Sequence, residues 1–318
     1  MAHKMQVHRH AKEFHPQRGS VLTIGTFDGV HLGHRAILKK VVDQARARDL
    51  NAVLLTFFPH PRMVVQKQTD LKLLNTLEEK TQLLQALGID HLVIRPFTKE
   101  FSRKTAVEYV RDLLVNQLKA KKIIIGYDHR FGRNRTADID DLKEYGNLYD
   151  FEVEEISAQQ KDQVAISSTK IRKALDCGDV GTANAYLGSP YTLSGMVIQG
   201  QSIGHTLGYP TANFIIEESY KLIPHQGVYL SKARIQGQEF FGVTNIGTNP
   251  TVGGVEQRIE THLLNFSADL YGQNIQLQLL GRIRDQKVFP DLVALKNAIA
   301  ADVKQAQKLI TKFNTGVV

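Results

Sequence analysis

A chain of 318 residues, 42% of them hydrophobic, is long enough for two domains that each bury a core, and no stretch of it is apolar enough to predict a membrane-spanning helix. The first residues lack the apolar segment of a secretory signal, and the single cysteine, Cys177, excludes an intrachain disulfide, so we expect a cytoplasmic protein. The formal net charge of +8 suits anionic ligands, but the basic residues are scattered, so we expect small-molecule partners, no nucleic acid and no membrane.

The first half of the sequence alternates predicted strands with predicted helices. Residues 21–26 and 52–57 are apolar runs typical of buried strands, and residues 33–48 between them carry apolar side chains at helical spacing. A capping box of Thr76 and Glu79 begins a further helix. Such alternation predicts an α/β domain with a parallel sheet, in which ligands bind beyond the carboxyl ends of the strands. The other strands are predicted over residues 92–94, 123–126 and 151–156, and the other helices over 76–87, 103–118 and 168–176.

Short strands replace this alternation in the second half. Residues 188–190, Gly-Ser-Pro, are typical of a domain boundary, so we expect domains over residues 1–187 and 188–318. Several short strands separated by turn residues indicate a small barrel or sandwich, on which a final helix over residues 290–313 would pack. The strands are predicted over residues 191–198, 211–216, 227–235, 239–245, 259–265 and 275–283.

The first motif that indicates phosphate chemistry is GTFDGVHLGH at residues 25–34, between a predicted strand and a predicted helix. His31 and His34 are three residues apart, so their side chains can share one face of the first helical turn. The free amides and partial positive charge of a helix N-terminus favour phosphate, to which imidazoles can donate hydrogen bonds. A capped helix with two surface histidines, or a pair of metal ligands, is the alternative that the spacing leaves open.

The second such motif is GHTLGYPTAN at residues 204–213. Thr211 and Asn213 are two residues apart in an extended segment, so both point to one face. Hydroxyl and amide oxygens suit Mg²⁺, which takes its remaining ligands from water and phosphates. Glu260 lies in another predicted strand, where a surface-facing side chain is the simplest interpretation, and the spacing does not link it to Thr211.

Further motifs keep one order along nearly the whole chain. GYDHRFG at residues 126–132 and ISSTKIR at 166–172 follow the first motif, and GVYL, NIGTNPTV, IETHLLNF and DLYG, which begin at positions 227, 245, 259 and 269, follow the second. Together they resemble the bacterial FAD synthetases, the bifunctional riboflavin kinase/FMN adenylyltransferase family. This resemblance implies a Rossmann-like nucleotidyltransferase domain with a parallel sheet, then a six-stranded β-barrel with a C-terminal helix.

The resemblance also implies site residues. His31 and His34 would act as catalytic residues that hold the ATP phosphates, and Glu260 would be the general base that takes the proton from the riboflavin 5′-hydroxyl. Mg²⁺ would be held by Thr211 and Asn213, and the flavin by residues that include Asp128 and Arg130. The other implied ATP or phosphate ligands are Gly25, Phe27, Asp28, Gly33, Ser168, Thr169, Arg172, Gly204 and Gly208, together with Thr211. Read alone, the segment from Ser168 to Arg172 is simply the capped start of a helix.

The implied activity is flavin-cofactor synthesis in two steps. ATP would phosphorylate riboflavin to FMN in the second domain, and a second ATP would adenylylate FMN to FAD in the first domain with release of pyrophosphate, both steps with Mg²⁺. His205 stands where the family commonly has arginine, so the alternative is an FMN adenylyltransferase with a weak or inactive kinase domain. A rival of another class is a non-catalytic regulator that binds flavin or nucleic acid, which the basic charge suggests and the two sets of reactive residues disfavour.

Overall fold

The chain forms two compact units, Met1–Ser167 and Ser168–Val318. The computed structural model describes residues 4–65, 70–126, 129–156, 166–200, 203–247 and 258–314. Residues 168–187, which the sequence assigns to the first domain, thus fold with the second unit. The predicted division of function at residues 187 and 188 stays a prediction.

A parallel sheet forms the centre of the first unit, as predicted. Successive residues of one strand, Val21 and Leu22, pack into clusters on opposite faces, so the sheet is buried on both sides. The sequence does not predict the first strand, because its three residues, Gln-Val-His, include one apolar side chain. The strands are β1 (Gln6–His8), β2 (Ser20–Ile24), β3 (Asn51–Phe58), β4 (His91–Pro96), β5 (Ala120–Gly126) and β6 (Glu152–Ile156), in the spatial order β1–β4–β3–β2–β5–β6.

Helices cover both faces of this sheet. The capping box at Thr76 and Glu79 is present, with hydrogen bonds of 2.9 and 3.1 Å between the two residues. The helix predicted over residues 103–118 is π-helical for most of its length, after three α-helical residues. The sequence does not predict the helix that Asp138 caps. The helices are α1 (Leu32–Ala47), α2 (Pro61–Val65), α3 (Leu77–Ala86), α4 (Ala106–Glu108) with its π-helical continuation Tyr109–Gln117, and α5 (Ile139–Tyr149).

A closed antiparallel barrel forms the second unit, as the resemblance implies. Its strands are β7 (Tyr191–Ile198), β8 (Ala212–Ile215), β9 (Gly227–Ile235), β10 (Gln238–Gly247), β11 (Arg258–Leu263) and β12 (Asn274–Arg284), in the spatial order β10–β11–β8–β7–β12–β9. The predicted strands agree with the observed ones to within about two residues at each end. The helices are α6 (Ser168–Asp176), α7 (Val180–Leu187), α8 (Ile203–Thr206) and α9 (Leu292–Asn314).

Hydrogen bonds attach α6 and α7 to the barrel. The Asn184 amide donates to the carbonyl of Leu279 at 2.8 Å and accepts from the N–H of Tyr191 at 2.7 Å. The Arg282 guanidinium donates to the carbonyl of Cys177 in the turn between the two helices. These contacts explain why residues 168–187 fold with the second unit.

Polar groups inside the barrel satisfy one another. The Thr244 hydroxyl donates to the Ser231 hydroxyl at 2.7 Å and lies 2.9 Å from that of Thr261. All three residues are buried, and they belong to the neighbouring strands β9, β10 and β11. On the outside, Val243 packs against α9 through Ala306 and its neighbours. Alternate residues of β10 therefore face the barrel interior and the outer surface.

Candidate active sites

The turn from β2 into α1 brings His31 and His34 into contact. His31 is the N-cap of α1, and its Nδ1 accepts a hydrogen bond from the backbone N–H of His34 at 3.3 Å. The two imidazoles stack with ring centroids 3.6 Å apart, and the Phe27 ring lies 4.6 Å from that of His34. The structure thus places both predicted histidines at the N-terminus of a 16-residue helix, where backbone amides point outward.

Burial keeps both imidazoles uncharged at neutral pH. It lowers the pKa of His31 to about 4, against the opposing influence of Asp28. The pKa of His34 lies well below 6.5, first because of burial and then because of His31 and Lys80. Since the Nδ1 of a neutral His31 accepts a hydrogen bond, its proton lies on Nε2, which can donate to a phosphate oxygen. The His34 Nδ1 is enclosed, without a hydrogen-bond partner among the described residues.

The loop between β2 and α1 has a strained backbone. Phe27 and Val30 have φ angles of 45° and 42°, in the left-handed region, and Gly29 has 88°. At non-glycine residues such conformations cost roughly 1–3 kcal/mol each and persist only where the surroundings hold them. Asp28 supplies part of this support, because its buried carboxylate accepts the Leu74 N–H at 2.9 and 3.1 Å. Its predicted role toward ATP stays a prediction.

Of the other predicted ligands of the first site, the two glycines lie beside the turn from β2 into α1, whereas Arg130 lies on the surface. Gly25 lies under the Phe27 ring, which a Cβ at this position would approach to 3.0 Å, and Gly33 is buried in the first turn of α1. Arg130 is exposed and lies 3.5 Å from Asp138. Asp128 is outside the described residues, so its predicted flavin contact stays a prediction.

The predicted triphosphate ligands Ser168, Thr169 and Arg172 lie in the first turns of α6, in the second unit. Ser168 and Arg172 are half-buried, and Thr169 is exposed. They therefore have the helix-start position that the sequence predicts. Their role toward ATP stays a prediction.

An aromatic cluster lies near the carboxyl ends of β3 and β4. Its members are Phe57, Phe97, Phe101, Tyr109 and Phe131, whose successive ring centroids are 5.7, 5.7, 6.1 and 5.6 Å apart. Phe57 and Phe97 are partly buried, and the other three are core residues. The sequence alone does not reveal this cluster, because its members come from four separate segments.

In the barrel, strand register aligns two of the predicted kinase residues. Glu260 on β11 lies directly opposite Asn213 on β8, and on its other side it lies opposite Asn245 on β10. The neighbouring residue Thr261 points into the barrel, so Glu260 points outward. Directly opposed side chains in antiparallel pairs have Cβ atoms about 4.5–5.5 Å apart. We call Asn213, Glu260 and Asn245 the outer polar row.

Two glycines pack on the predicted Mg²⁺ ligands. A Cβ at Gly200 would overlap the Asn213 amide, and a Cβ at Gly204 would lie 3.0 Å from the Thr211 hydroxyl. Gly208 has a φ of 85° in the turn that follows α8. The motif thus folds back over the start of β8, and its glycines permit that close approach.

Three residues beside these sites are not predicted from the sequence: Lys80, Asn245 and His262. Lys80 is buried next to the first loop and donates to the carbonyl of Thr26 at 2.8 Å. Asn245 belongs to the outer polar row. The His262 Nδ1 lies 2.8 Å from the carbonyl of Pro210, next to Thr211. Asn245 lies in the motif NIGTNPTV and His262 in the motif IETHLLNF, so the sequence does carry a signal for these two residues. Lys80 resembles any other helical lysine.

These features define a chain with two candidate phosphate-handling sites, one at a helix N-terminus of an α/β unit and one on a β-barrel. No helix among the described residues is long and apolar enough to cross a membrane. Residues 13–170 match the FAD synthetase family, and residues 187–310 match the riboflavin kinase family.

Known proteins match nearly the whole chain. The bifunctional riboflavin kinase/FMN adenylyltransferase of Escherichia coli strain K12 is 38% identical over 294 residues, 92% of this chain and 93% of that protein. The protein of the same name from Pseudomonas fluorescens is 36% identical over 96% of this chain and 98% of its own length. A crystal structure described as a macrolide-efflux protein from Streptococcus pneumoniae has a TM-score of 0.85 and 31% identity, and covers 95% of this chain and 98% of that chain. The chain belongs to the bifunctional riboflavin kinase/FMN adenylyltransferase family, as its motifs predict.

Proposed function

We propose that this chain uses one ATP to phosphorylate riboflavin to FMN and another to adenylylate FMN to FAD. The observation that carries the proposal is that one chain holds both candidate sites: the stacked pair His31 and His34 at the start of α1, and the register of Glu260 with Asn213 on the barrel. Its membership of a bifunctional family supports both activities.

In adenylyl transfer, a phosphate oxygen of FMN forms a bond to the α-phosphorus of ATP. The bond from that phosphorus to the bridging oxygen breaks, and pyrophosphate leaves with the electron pair. The attacking group is already an anion, so positioning and charge stabilisation supply most of the catalysis. We assign to the His31 Nε2–H and the amides of α1 the donation of hydrogen bonds to the phosphates. We also assign Gly25, Phe27, Asp28 and Gly33 to this ATP site.

The flavin of this step would lie near the aromatic cluster. Flat apolar rings pack favourably on aromatic side chains, and the partly buried Phe57 and Phe97 present ring surface near the carboxyl ends of β3 and β4. Arg130 and Asp128 remain proposed flavin ligands. Ser168, Thr169 and Arg172 remain proposed ligands of the triphosphate, with residues 1–187 as the adenylyltransferase segment and 188–318 as the kinase segment.

In phosphoryl transfer, the riboflavin 5′-oxygen forms a bond to the γ-phosphorus of ATP. The bond from that phosphorus to the bridging oxygen breaks, and ADP leaves. Glu260 accepts the hydroxyl proton, for which a half-buried carboxylate on the outer polar row is suited. We assign the Thr211 hydroxyl, with Gly204 and Gly208, to the ATP phosphates.

The oxygen donors beside Glu260 fit a hard cation. No cluster of three or more His, Cys, Asp or Glu side chains within the described part of the chain could hold a metal ion. The remaining ligands of an ion held here would come from water and the ATP phosphates. We propose that the Thr211 hydroxyl and the Asn213 amide oxygen would hold Mg²⁺, which on binding would neutralise phosphate charge. Since the exposed Cys177 is a free thiol, we place both reactions in the reducing cytoplasm.

The test is to incubate the pure chain with riboflavin, ATP and Mg²⁺ and to separate the flavins by HPLC. We expect FMN first and FAD later, with one pyrophosphate for each FAD and no product when EDTA removes the metal. If supplied FMN becomes FAD while riboflavin stays unchanged, the chain is an adenylyltransferase with an inactive kinase segment. If a folded sample makes neither product, the proposal is wrong.

A further inference from the structure

A buried lysine, Lys80, contacts the loop between β2 and α1 and has no part in the chemistry described so far. Lys80 lies in the first turn of α3 and is 4% exposed, which is rare because lysine usually extends its ammonium into water. Its Nζ donates to the backbone carbonyl of Thr26 at 2.8 Å. This acceptor is neutral, and the negative charge that acts on the ammonium is that of the buried Asp28 carboxylate, which opposes the lowering of the Lys80 pKa by burial. Burial of such a charge is costly, and a functional return is the usual reason to retain it.

We propose that Lys80 is a positioning residue for adenylyl transfer, which acts through Thr26 and His34 and does not touch ATP. The inference rests on the proposed adenylyltransferase reaction of the first unit.

The position of Thr26 in the loop supports this role of Lys80. Thr26 comes immediately before the left-handed residue Phe27, and its carbonyl also accepts the Thr56 hydroxyl at 3.2 Å. Two donors, the Thr56 hydroxyl on β3 and the Lys80 ammonium on α3, thus hold the Thr26 carbonyl, directly before the strained residues of the loop. Because the loop ends at the N-cap His31, a shift of this peptide moves both imidazoles.

The fixed backbone position of Lys80 also supports this role. The capping box of Thr76 and Glu79 fixes the first turn of α3, and the Lys80 N–H donates to the carbonyl of Thr76 at 3.0 Å. The ammonium therefore reaches Thr26 from a well-defined backbone position.

The electrostatic interaction of Lys80 with His34 supports this role as well. The groups that face His34 are the Phe27 ring, the stacked His31 and the Lys80 ammonium, with Asp28 beside His31 and Lys80. The Lys80 charge adds to the effect of burial in holding the pKa of His34 below 6.5. A neutral imidazole can both donate and accept hydrogen bonds, so the charge of Lys80 helps to keep His34 in that form.

The experiment compares Lys80→Met, which removes the charge but keeps the length, with Lys80→Gln, which keeps a neutral donor. Lys39→Met is the matched control, because it removes a charge from an exposed lysine on α1. The readouts are kcat and KM for FAD formation, riboflavin phosphorylation by the same samples, and the NMR titration of His34, assigned with His34→Gln.

For Lys80→Met we expect kcat of FAD formation to fall on the order of 10²-fold, the usual result of a small displacement of reacting groups, with KM for ATP nearly unchanged. Lys80→Gln should lose less activity, and in both variants the pKa of His34 should rise. Riboflavin phosphorylation and Lys39→Met should match the unaltered chain.

Two outcomes would overturn the inference. A higher KM for ATP at unchanged kcat would mean that Lys80 binds ATP directly. Wild-type FAD formation and an unchanged His34 titration in folded Lys80→Gln would mean that the lysine only packs α3 against the loop. Should Lys80→Met not fold, Lys80→Gln alone decides between these results.

Discussion

Acidification should destabilise the first unit through His31, and His31→Asn should remove that sensitivity. Burial lowers the pKa of His31 from 6.5 to about 4, so the unfolded chain binds a proton in this interval that the folded chain does not. The stabilisation is therefore fully present above pH 6.5 and is lost as the pH falls toward 4. Asparagine is a favourable N-cap, so the variant keeps a side-chain acceptor for the His34 N–H and removes the titration.

The size of the effect follows from the shift. A change of roughly 2.5 pKa units corresponds to about 3 kcal/mol between pH 7 and pH 3, of which about 2 kcal/mol falls between pH 7 and pH 5. His34 acts in the same direction, because its pKa is also lowered by burial. The comparison with His31→Asn isolates the contribution of His31.

Native-state hydrogen exchange of the buried strands β2 and β5 measures this quantity without requiring that both units unfold together. The unaltered chain should lose about 2 kcal/mol more protection than His31→Asn when the pH falls from 7 to 5, after correction for the intrinsic exchange rate. Parallel losses in the two proteins would refute the claim that His31 is buried in its neutral form.

Three further predictions concern the second unit. Glu260→Gln should lower the rate of riboflavin phosphorylation by on the order of 10²–10⁴-fold and leave adenylylation of supplied FMN intact. A kinase rate equal to that of the unaltered chain would exclude Glu260 as the base. Gly200→Ala should impair the kinase because its Cβ overlaps the Asn213 amide, whereas Gly281→Ala, with open space around its Cβ, should not, as initial rates at varied ATP will show. In a fragment ending at residue 187, the helices α6 and α7 lose their barrel partners. Residues 168–187 should therefore lose the hydrogen-exchange protection that they have in the full chain. Retained protection would contradict the contacts of Asn184 with the barrel.

Most of the fold could be predicted from the sequence because its signals are local. The bounds of β7 and β9 agree with the prediction, since apolar runs and flanking turn residues mark both ends. The capping box at Thr76 also depends on neighbouring residues alone. In contrast, the grouping of α6 and α7 with the barrel depends on the bonds of Asn184 to Leu279 and of Arg282 to Cys177, which join residues 95 and 105 positions apart in sequence.

The candidate sites divide in the same way. The contact of His31 with His34 follows from their spacing at a helix start. The alignment of Glu260 with Asn213 depends on strand register, which a single sequence does not reveal. Lys80 gave no signal, because its burial results from the packing of α3 against a loop more than fifty residues earlier.

The hydroxyls inside the barrel have a consequence for the carboxylate outside it. A slip of one residue between neighbouring strands would turn Glu260 inward, because side chains alternate between the two faces. The same slip would separate Thr261 from Thr244 and leave buried hydroxyls without partners, at a cost of about 1–3 kcal/mol each. The hydrogen bonds between the interior hydroxyls thus stabilise the observed register of β9, β10 and β11. Their removal should first appear as a second population of strand pairings, in which Glu260 faces the barrel interior while the barrel stays closed.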